Sequence, residues 1–523
     1  SGSGDDTLHV CRVLFEDDGD YTFTLAFQDL AGNRAVYGQT DEFTIDKTAP
    51  ELEVSWDNQD VCNEIYFADS RTAVIDILER NFKEELIDIT VTAEGDAEEV
   101  PAASAWIQNG EHHTARIRFM EDGIYTLTVK GKDLAGNEAE LYESETFVID
   151  QTPPELEFLY VQDRSANKGE VRPGVRYSDT NCGQEKAWLS LTGYQNGGRE
   201  CEGFWKQLQN GMEFRMKDFE YSKEQDDLYT LEAVVRDLAG NESRGRLTFS
   251  VNRFGSVYTF SPETEALVGT AGRYYTNQEQ DIIVTEINVD TLTFQEIVCG
   301  RNGELFTLQE GRDYTVKENS DASGWKQYIY RIDADCFQED GRYVLTIYSE
   351  DRAENASDTG SKGKKIEFAV DKTAPVILAS GAEDGGRYRE SAREITLDIQ
   401  DNLQLEEAVV TLNGERIVYS GADLAEQDGR LVLRIEGENY WQELSVTARD
   451  AAGNTAETLK LRLLVTPNLL VQLVTNRTLC YSIAGVLGLL AAAAACVLHA
   501  RARQAEEEEG NCQRRKAGRK KDL

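Results

Sequence analysis

The chain has 523 residues, of which 95 are acidic and 54 are basic, giving a formal net charge of −41 at pH 7. A balance this acidic excludes a general nucleic-acid-binding or anionic-membrane-binding surface, because both of those partners are themselves anionic. The length allows several domains of ordinary size.

One phrase recurs along the chain in nearly the same letters. It reads DGDYTFTLAFQDLAGN in the first copy and DGIYTLTVKGKDLAGN in the second, and the five copies end at Asn33, Asn137, Asn241, Asn355 and Asn454. A spacing of about 100 residues is typical of a small domain and not of a solenoid repeat. A second phrase, FTIDKTAP at 43–50, returns as FVIDQTPP and FAVDKTAP, and decays to FSVNRFG after the third copy.

The second phrase predicts the domain boundaries, because proline cannot donate to a strand ladder and so closes a strand. We expect the C-terminal part of a truncated domain at 1–48, since that stretch supplies only about three strands. Complete domains are expected at 49–152, 153–253 and 373–466, and a longer one at 254–372. Almost no linker separates them.

Each complete repeat is predicted to be an antiparallel β-sandwich. Residues 51–152 contain seven short segments of strand-like composition: ELEVSW, TAVIDILE, IDITVTAE, SAWIQ, TARIRFM, YTLTVKGKD and ETFVID. Turn signals such as QNGE separate them, and no long helical period occurs. In YTLTVKGKD, Tyr125, Leu127 and Val129 share one face, as in a strand with one side in a core. The fold class is therefore all-β.

A tyrosine stands eight residues before a turn aspartate in most copies of the first phrase. The tyrosines are Tyr21, Tyr125, Tyr229 and Tyr343, and the predicted turn aspartates are Asp29, Asp133, Asp237 and Asp450. An aspartate side chain at that position can accept backbone N–H groups and so close a hairpin. In the last copy Gln442 occupies the tyrosine position.

The D-G-x-Y corner, the DLAGN turn and the closing DKTAP together resemble the bacterial immunoglobulin-like (Ig-like) repeats of cell-surface proteins and adhesins. The resemblance covers roughly residues 1–465. It implies tandem Ig-like sandwiches, each with a tyrosine corner at the start of strand F. The chain departs from the pattern at Asp227, which replaces the corner glycine, at DRAEN, which replaces DLAGN, and at Gln442.

The C-terminal region predicts a membrane anchor. Residues 479–500 carry no formal charge at neutral pH, and 22 helical residues span roughly 30 Å, the hydrocarbon thickness of a bilayer. The tail at 501–523 is rich in arginine and lysine, so the positive-inside rule places it in the cytoplasm and the repeats outside. A sortase-processed wall anchor would need an LPXTG-type motif upstream, and the sequence has none.

The acidic residues and the cysteines each leave two interpretations open. Acidity is explained either by a solvated surface, with no cofactor, or by calcium held between domains by Asp46, Asp150 and Asp371 together with the turn residues Asp133 and Asp237. Cysteines that share a domain outside the membrane either form disulfides or stay reduced. The two pairs are Cys182 with Cys201, and Cys299 with Cys336.

No catalytic motif occurs in the sequence given, so we predict no active site within it. The pair His112–His113 is interpreted as a solvated hairpin turn. Tyr314, Trp325 and Tyr328, in the longest repeat, form either an exposed contact surface for a glycan or protein, or a buried set. The predicted function is a single-pass surface stalk for adhesion or ligand presentation. The alternative is the spacer and anchor of a surface enzyme, such as a glycoside hydrolase or protease, with an upstream catalytic domain.

Overall fold

A computed structural model describes residues 9–36, 41–95, 97, 99–268, 274–320 and 324–518. The chain forms two compact units, Ser1–Phe254 and Gly255–Leu523. Both are mostly β, which confirms the predicted fold class. The basic residues Arg519, Lys520 and Lys521 of the predicted tail lie outside the described residues.

Residues 19–36 and 41–45 form two short pairs of antiparallel strands. Strand β1 (Gly19–Phe23) pairs with β4 (Asp41–Ile45), and β2 (Ala26–Gln28) pairs with β3 (Arg34–Val36). The rings of Tyr21 and Phe43 each lie within 5 Å of the ring of Phe15. These residues form a small aromatic cluster against the β1–β4 pair.

Residues 51–149 form a two-sheet sandwich with the strand order of an Ig-like domain. One sheet has the order β5-β7-β10-β9; the other has β6-β13-β11 with β8 and β12 also paired to β11. The strands are β5 (Glu51–Trp56), β6 (Tyr66–Phe67), β7 (Arg71–Leu78), β8 (Ile87–Glu94), β9 (Ile107–Asn109), β10 (His112–Phe119), β11 (Gly123–Gly131), β12 (Tyr142–Glu143) and β13 (Phe147–Ile149). A 3₁₀ turn covers Glu84–Leu86.

The core of this sandwich follows the predicted alternation. Tyr125, Leu127 and Val129 are all fully buried on one side of β11. Each of the seven predicted segments overlaps a strand, and the two-residue strands β6 and β12 are additional. One prediction was wrong: His113 is not in a solvated turn. The register of β10 on β7 turns it inward, where its ring stacks 4.0 Å from that of Phe82.

Residues 155–251 form a second sandwich, with sheets β14-β15-β19-β18 and β17-β16-β20-β21. The strands are β14 (Glu155–Leu159), β15 (Gly174–Ser178), β16 (Trp188–Gly193), β17 (Gly197–Arg199), β18 (Gly203–Leu208), β19 (Gly211–Met216), β20 (Asp227–Arg236) and β21 (Glu242–Val251). A 3₁₀ turn, Lys223–Gln225, precedes β20. The core centres on Tyr229, Phe214 and Phe249.

Residues 257–370 form the largest sandwich, with sheets β22-β24-β28-β27 and β23-β31-β29-β25-β26, where β30 also pairs with β29. The strands are β22 (Val257–Phe260), β23 (Tyr275–Thr276), β24 (Ile282–Asn288), β25 (Leu292–Arg301), β26 (Glu304–Thr307), β27 (Tyr314–Ser320), β28 (Lys326–Ile332), β29 (Gly341–Asp351), β30 (Ala356–Asp358) and β31 (Ile366–Val370). The short helix α1 (Pro262–Val268) and the 3₁₀ turn Ala334–Phe337 complete it.

Residues 376–465 form the last sandwich, with sheets β32-β34-β37 and β33-β39-β38-β35-β36. The strands are β32 (Val376–Ser380), β33 (Arg387–Tyr388), β34 (Ala392–Gln400), β35 (Leu405–Leu412), β36 (Glu415–Ser420), β37 (Arg430–Glu436), β38 (Gln442–Asp450) and β39 (Leu459–Val465). Helix α2 (Gly421–Glu426) begins with a capping box between Ser420 and Asp423.

Two helices follow the last sandwich. Helix α3 (Leu469–Val474) is short, and helix α4 (Arg477–Gly518) has 42 residues. Among the described residues, one stretch is long and apolar enough to cross a membrane by length and composition, Thr478–Arg514 within α4.

Candidate cation sites at the domain junctions

The phrase tyrosines all make the same bond. Each hydroxyl donates to the backbone carbonyl four residues upstream, which holds the turn that enters the strand. The pairs are Tyr21 with Asp17 at 2.8 Å, Tyr125 with Glu121 at 3.0 Å, Tyr229 with Gln225 at 3.0 Å, and Tyr343 with Glu339 at 2.8 Å. Burial raises the pKa of Tyr125 above its ordinary value. In the last domain the buried amide of Gln442 donates to Glu436 O at 2.8 Å instead.

The turn aspartates organise the end of the phrase. Asp133 accepts the backbone N–H groups of Gly136 and Asn137 at 2.6 and 2.9 Å, and the Asn137 amide at 2.7 Å. Gly136 has φ of +93°, a conformation that glycine adopts without strain. The same asparagine also donates to the carbonyl of Asp46, in the preceding linker, at 3.2 Å. Asn241 and Asn454 make the equivalent bonds to Asp150 O and Asp371 O at 2.7 and 2.8 Å.

The preceding domain also forms a hydrogen bond to the linker, which is the DKTAP or DQTPP segment between two domains. The aspartate of its D-G corner accepts the hydroxyl of the linker threonine. The distances are 2.7 Å for Asp18 with Thr48, 2.6 Å for Asp122 with Thr152, and 2.5 Å for Asp340 with Thr373. The segments DKTAP and DQTPP therefore end a strand and also form hydrogen bonds to the domains on both sides.

Three clusters of carboxylates lie at these linkers, and we call them the junction triads. Each takes one aspartate from the linker, one acid that follows the second long strand of the next domain, and the turn aspartate of that domain. The triads are Asp46, Glu79 and Asp133; Asp150, Asp179 and Asp237; and Asp371, Asp401 and Asp450. Within each triad, one oxygen from every member lies within 4.8 Å of the other two.

Burial makes the negative charge of the triads costly. Asp371 and Asp450 are fully buried, and Asp150 is 2 % exposed. Burial, reinforced by the neighbouring carboxylates, raises the pKa of Asp150 and of Asp371 from 3.8 to about 6. Burial likewise raises the pKa of Glu79, with Asp46 and Asp133 adding repulsion. Each triad thus holds one carboxyl that resists ionisation.

Two carboxylate oxygens of the third triad have no hydrogen-bond partner among the described residues. Asp371 Oδ1 accepts the backbone N–H of Thr373 at 3.2 Å, whereas its buried Oδ2 has no partner among the described residues. Asp401 Oδ2 accepts two backbone N–H groups, whereas its Oδ1 is also unpartnered among the described residues. A buried anionic oxygen without a partner is expensive and calls for a cation or a proton.

The spacing of the triad oxygens is compatible with contact to a single cation such as calcium. Calcium binds oxygens at about 2.3–2.6 Å, so two oxygens on opposite sides of one ion are about 4.8 Å apart. The oxygens of each triad lie within that limit. In the first unit, cavities of about 270 Å³ and 120 Å³ are lined by acids of the first and second triads. Backbone carbonyls and water could supply the remaining ligands.

The sequence analysis named some members of the junction triads, and its calcium interpretation stays a prediction. It named Asp46, Asp150, Asp371, Asp133 and Asp237, all of which lie in triads. It missed the acid from the second strand of each domain, namely Glu79, Asp179 and Asp401. These three acids each stand about 30 residues after the linker aspartate, but their spacing is irregular because the intervening loops differ in length.

Of the aromatic residues considered for an exposed contact surface, two are in the core. Tyr314 and Tyr328 are 4 % and 5 % exposed, because β27 and β28 point them between the sheets, and Trp325 is half-buried. The exposed-surface interpretation was therefore wrong for these two tyrosines.

The structure records all nine cysteines as free thiols. Burial raises the pKa of Cys201 and of Cys336 to about 11, and that of Cys299 to about 12. Such thiols are weakly nucleophilic. The proposed pairs Cys182–Cys201 and Cys299–Cys336 stay predictions.

Comparison with known proteins identifies the repeat. Residues 15–148 match the family model of the bacterial Ig-like domain (group 3). This region is similar to bacterial Ig-like domains. The Ig-like strand order of the sandwiches agrees with it. None of the curated proteins matches the chain.

Several solved structures are similar to this chain at low identity and with low TM-scores. A tetra-tandem repeat from the extending region of a large adhesion protein is 16 % identical, with 79 % of this chain and 99 % of that chain covered and a TM-score of 0.31. The Escherichia coli adhesin FdeC is 11 % identical, with coverage of 61 % and 96 % and a TM-score of 0.24. Fibronectin(III)-like modules of Clostridium thermocellum CbhA are 13 % identical, with coverage of 40 % and 94 % and a TM-score of 0.20.

Proposed function

We propose that this chain is a membrane-anchored surface stalk whose Ig-like domains are locked together by calcium at the junction triads. The observation that carries the proposal is the third triad. Asp371 has a buried Oδ2 with no partner among the described residues, and one of its carboxylate oxygens lies within 4.8 Å of oxygens from Asp401 and Asp450. An aspartate with a pKa of about 6 is mostly ionised at pH 7. A divalent cation would satisfy that charge and its two neighbours at once.

The bound ion would act on the linker. Each triad joins one linker aspartate to two acids of the following domain, while the linker threonine stays bonded to the corner aspartate of the preceding domain. Without a cation, the three like charges repel and weaken the joint. With the cation, the linker is fastened at both ends, and bending between neighbouring domains is resisted. Such joints suit a stalk that holds a contact region away from a surface.

The anchor would be helix α4. Its apolar stretch is long enough to span a bilayer, and the arginines from Arg501 onward follow it. This orientation would place the Ig-like domains outside the cell, where calcium is abundant and where adhesion or ligand presentation takes place. The ligand of such a stalk would be a glycan or a protein.

Calcium titration by isothermal calorimetry tests the proposal on the full chain in detergent after chelator treatment. Three sites are expected. The double variant Asp371→Asn with Asp401→Asn should lose one of them, whereas Glu415→Gln, an exposed acid of the same domain, should lose none. Heat of binding that is absent, or unchanged in the double variant, would contradict the calcium assignment.

Small-angle scattering tests the extended shape of the stalk independently of calcium binding. We expect the radius of gyration and the maximum dimension to be larger and better defined in calcium than in chelator, because fixed joints keep the domains apart. Dimensions of a compact 523-residue globule in calcium would refute the stalk even if three ions bind.

A further inference from the structure

Helix α3 has two chemically different sides. At 100° per residue, Leu469, Leu473, Leu470 and Val474 occupy one arc of about 140°. All four are exposed, and Leu470 and Val474 reach 71 % and 72 %. The opposite side carries Val471, Gln472 and Thr475, which are half-buried. The apolar arc therefore faces away from the protein.

The polar side is fixed to the last Ig-like domain. Arg387, on strand β33, donates to the carbonyl of Gln472 at 3.2 Å and also to the carbonyl of Thr475. The guanidinium lies 5.1 Å from the centre of the Trp441 ring. The amide of Gln472 donates to the carbonyl of Tyr388 at 3.0 Å. These bonds hold the helix in one rotation, so its apolar arc is a fixed surface of the domain.

The same helix directly adjoins the candidate membrane span. Helix α4 begins at Arg477, and the thiol of Cys480 lies 3.5 and 3.2 Å from the carbonyls of Leu473 and Val474. Four residues lie between Val474 and Leu479, where the apolar stretch starts, and even an extended chain covers only about 17 Å over these five steps. No charged residue occurs from 463 to 476, although the chain as a whole is strongly acidic.

We infer that α3 is an interfacial helix whose apolar arc lies in the lipid surface of the outer leaflet, beside the span. This inference rests on the proposed membrane anchoring by α4. The occupant is lipid because any path from Val474 to the span ends at the bilayer, and the interfacial zone on each side is only about 5–8 Å deep. The absence of lysine and arginine from α3 means that attachment comes from apolar burial and does not require anionic lipid.

The hydrogen bonds from Arg387 to α3 would give this helix a mechanical role. Because Arg387 fixes α3 to the last Ig-like domain, embedding α3 would set the angle of that domain to the membrane. A stalk attached through the span alone could tilt at the connection between α3 and α4. Two attachments, one spanning and one interfacial, restrict that tilt.

Photo-crosslinking in the full chain tests the inference. A benzoylphenylalanine is placed at position 470, and in separate chains at Leu487 within the span and at Leu305, which is 76 % exposed on β26. Each chain is reconstituted in phosphatidylcholine nanodiscs and irradiated, and lipid adducts are measured by mass spectrometry. We expect adducts at 470 and 487 in comparable yield, with only background at 305.

Each other outcome overturns a stated part. Lipid adducts at 487 with none at 470 would refute the interfacial helix and leave the anchor intact. Chain-to-chain adducts at 470 would show that a second copy covers the apolar arc. Lipid adducts at 305 in equal yield would show unspecific labelling. Either result would refute the interfacial position of α3. No lipid adduct at 487 would refute the anchoring on which the inference depends.

Discussion

Replacing Asp371 by asparagine should have opposite effects on stability with and without calcium. Asparagine has nearly the same shape, and its Oδ1 can still accept the N–H of Thr373. Its amide would stand where the buried Oδ2 now lies, in the triad that also contains Asp401 and Asp450. The substitution thus removes a buried charge and places a hydrogen-bond donor among the carboxylates of the triad.

The magnitude follows from the pKa of Asp371. Because the folded-state pKa is raised from 3.8 to about 6, the folded protein holds this proton more tightly than the unfolded chain. Stability contributed by this carboxyl therefore falls as the pH rises from about 4 through 6, by up to about 3 kcal/mol. Without calcium, Asp371→Asn should be more stable than the natural chain by about 1–3 kcal/mol at pH 7.5, and by less at pH 5.

Calcium should reverse the order. A ligand at 1,000 times its dissociation constant stabilises the natural chain by about 4.1 kcal/mol, which exceeds the advantage of the variant in chelator, and the variant has lost one of the anionic ligands. Urea unfolding of residues 255–475, followed by tryptophan fluorescence in chelator and in calcium at both pH values, measures these differences. A variant less stable than the natural chain in chelator at pH 7.5, or stabilised equally by calcium, would refute this reasoning.

Three further predictions concern single features of the chain. Tyr125→Phe should lower the unfolding free energy of residues 49–152 by about 1–2 kcal/mol, because Glu121 O loses its donor; an unchanged urea midpoint would contradict this. Protease applied to intact cells should release residues 1–478 and spare a tag on Leu523, and loss of the tag would invert the topology. Peptide mapping of the exported chain under non-reducing conditions should find Cys182–Cys201 and Cys299–Cys336 joined, with about 3–4 kcal/mol of stability lost on reduction; free thiols at all four positions would rule the disulfides out.

The strand pattern could be predicted from the sequence because alternation along a half-buried strand is a local property. The segments ELEVSW and IDITVTAE coincide with β5 and β8 residue for residue. The predictions that failed concern features that depend on how neighbouring strands pair. His113 stands beside a turn-like NGE, yet its partner on β7 is Ile77, and that register alone turns its ring inward. The short helices α1 and α2 are also set by their sandwiches and have no long helical period.

The junction triads were likewise only partly predictable from the sequence. The linker and turn aspartates belong to repeated phrases, so their importance was visible in the letters. Glu79, Asp179 and Asp401 follow strands whose neighbouring loops vary, and only the folded sheet brings them to the same place. Gln442 is an instructive exception, since its amide makes a backbone bond comparable to that of the tyrosine it replaces.

The doubly fastened linkers have a consequence for how the array responds to load. At the junctions after Asp46, Asp150 and Asp371, one short segment contributes bonds to the domain before it and to the domain after it. Unfolding one domain therefore removes bonds from its neighbour, so the free energy of each domain includes a nearest-neighbour coupling term, as in linear repeat arrays. Under a pulling force, the first rupture should lower the force needed for the next one along the chain.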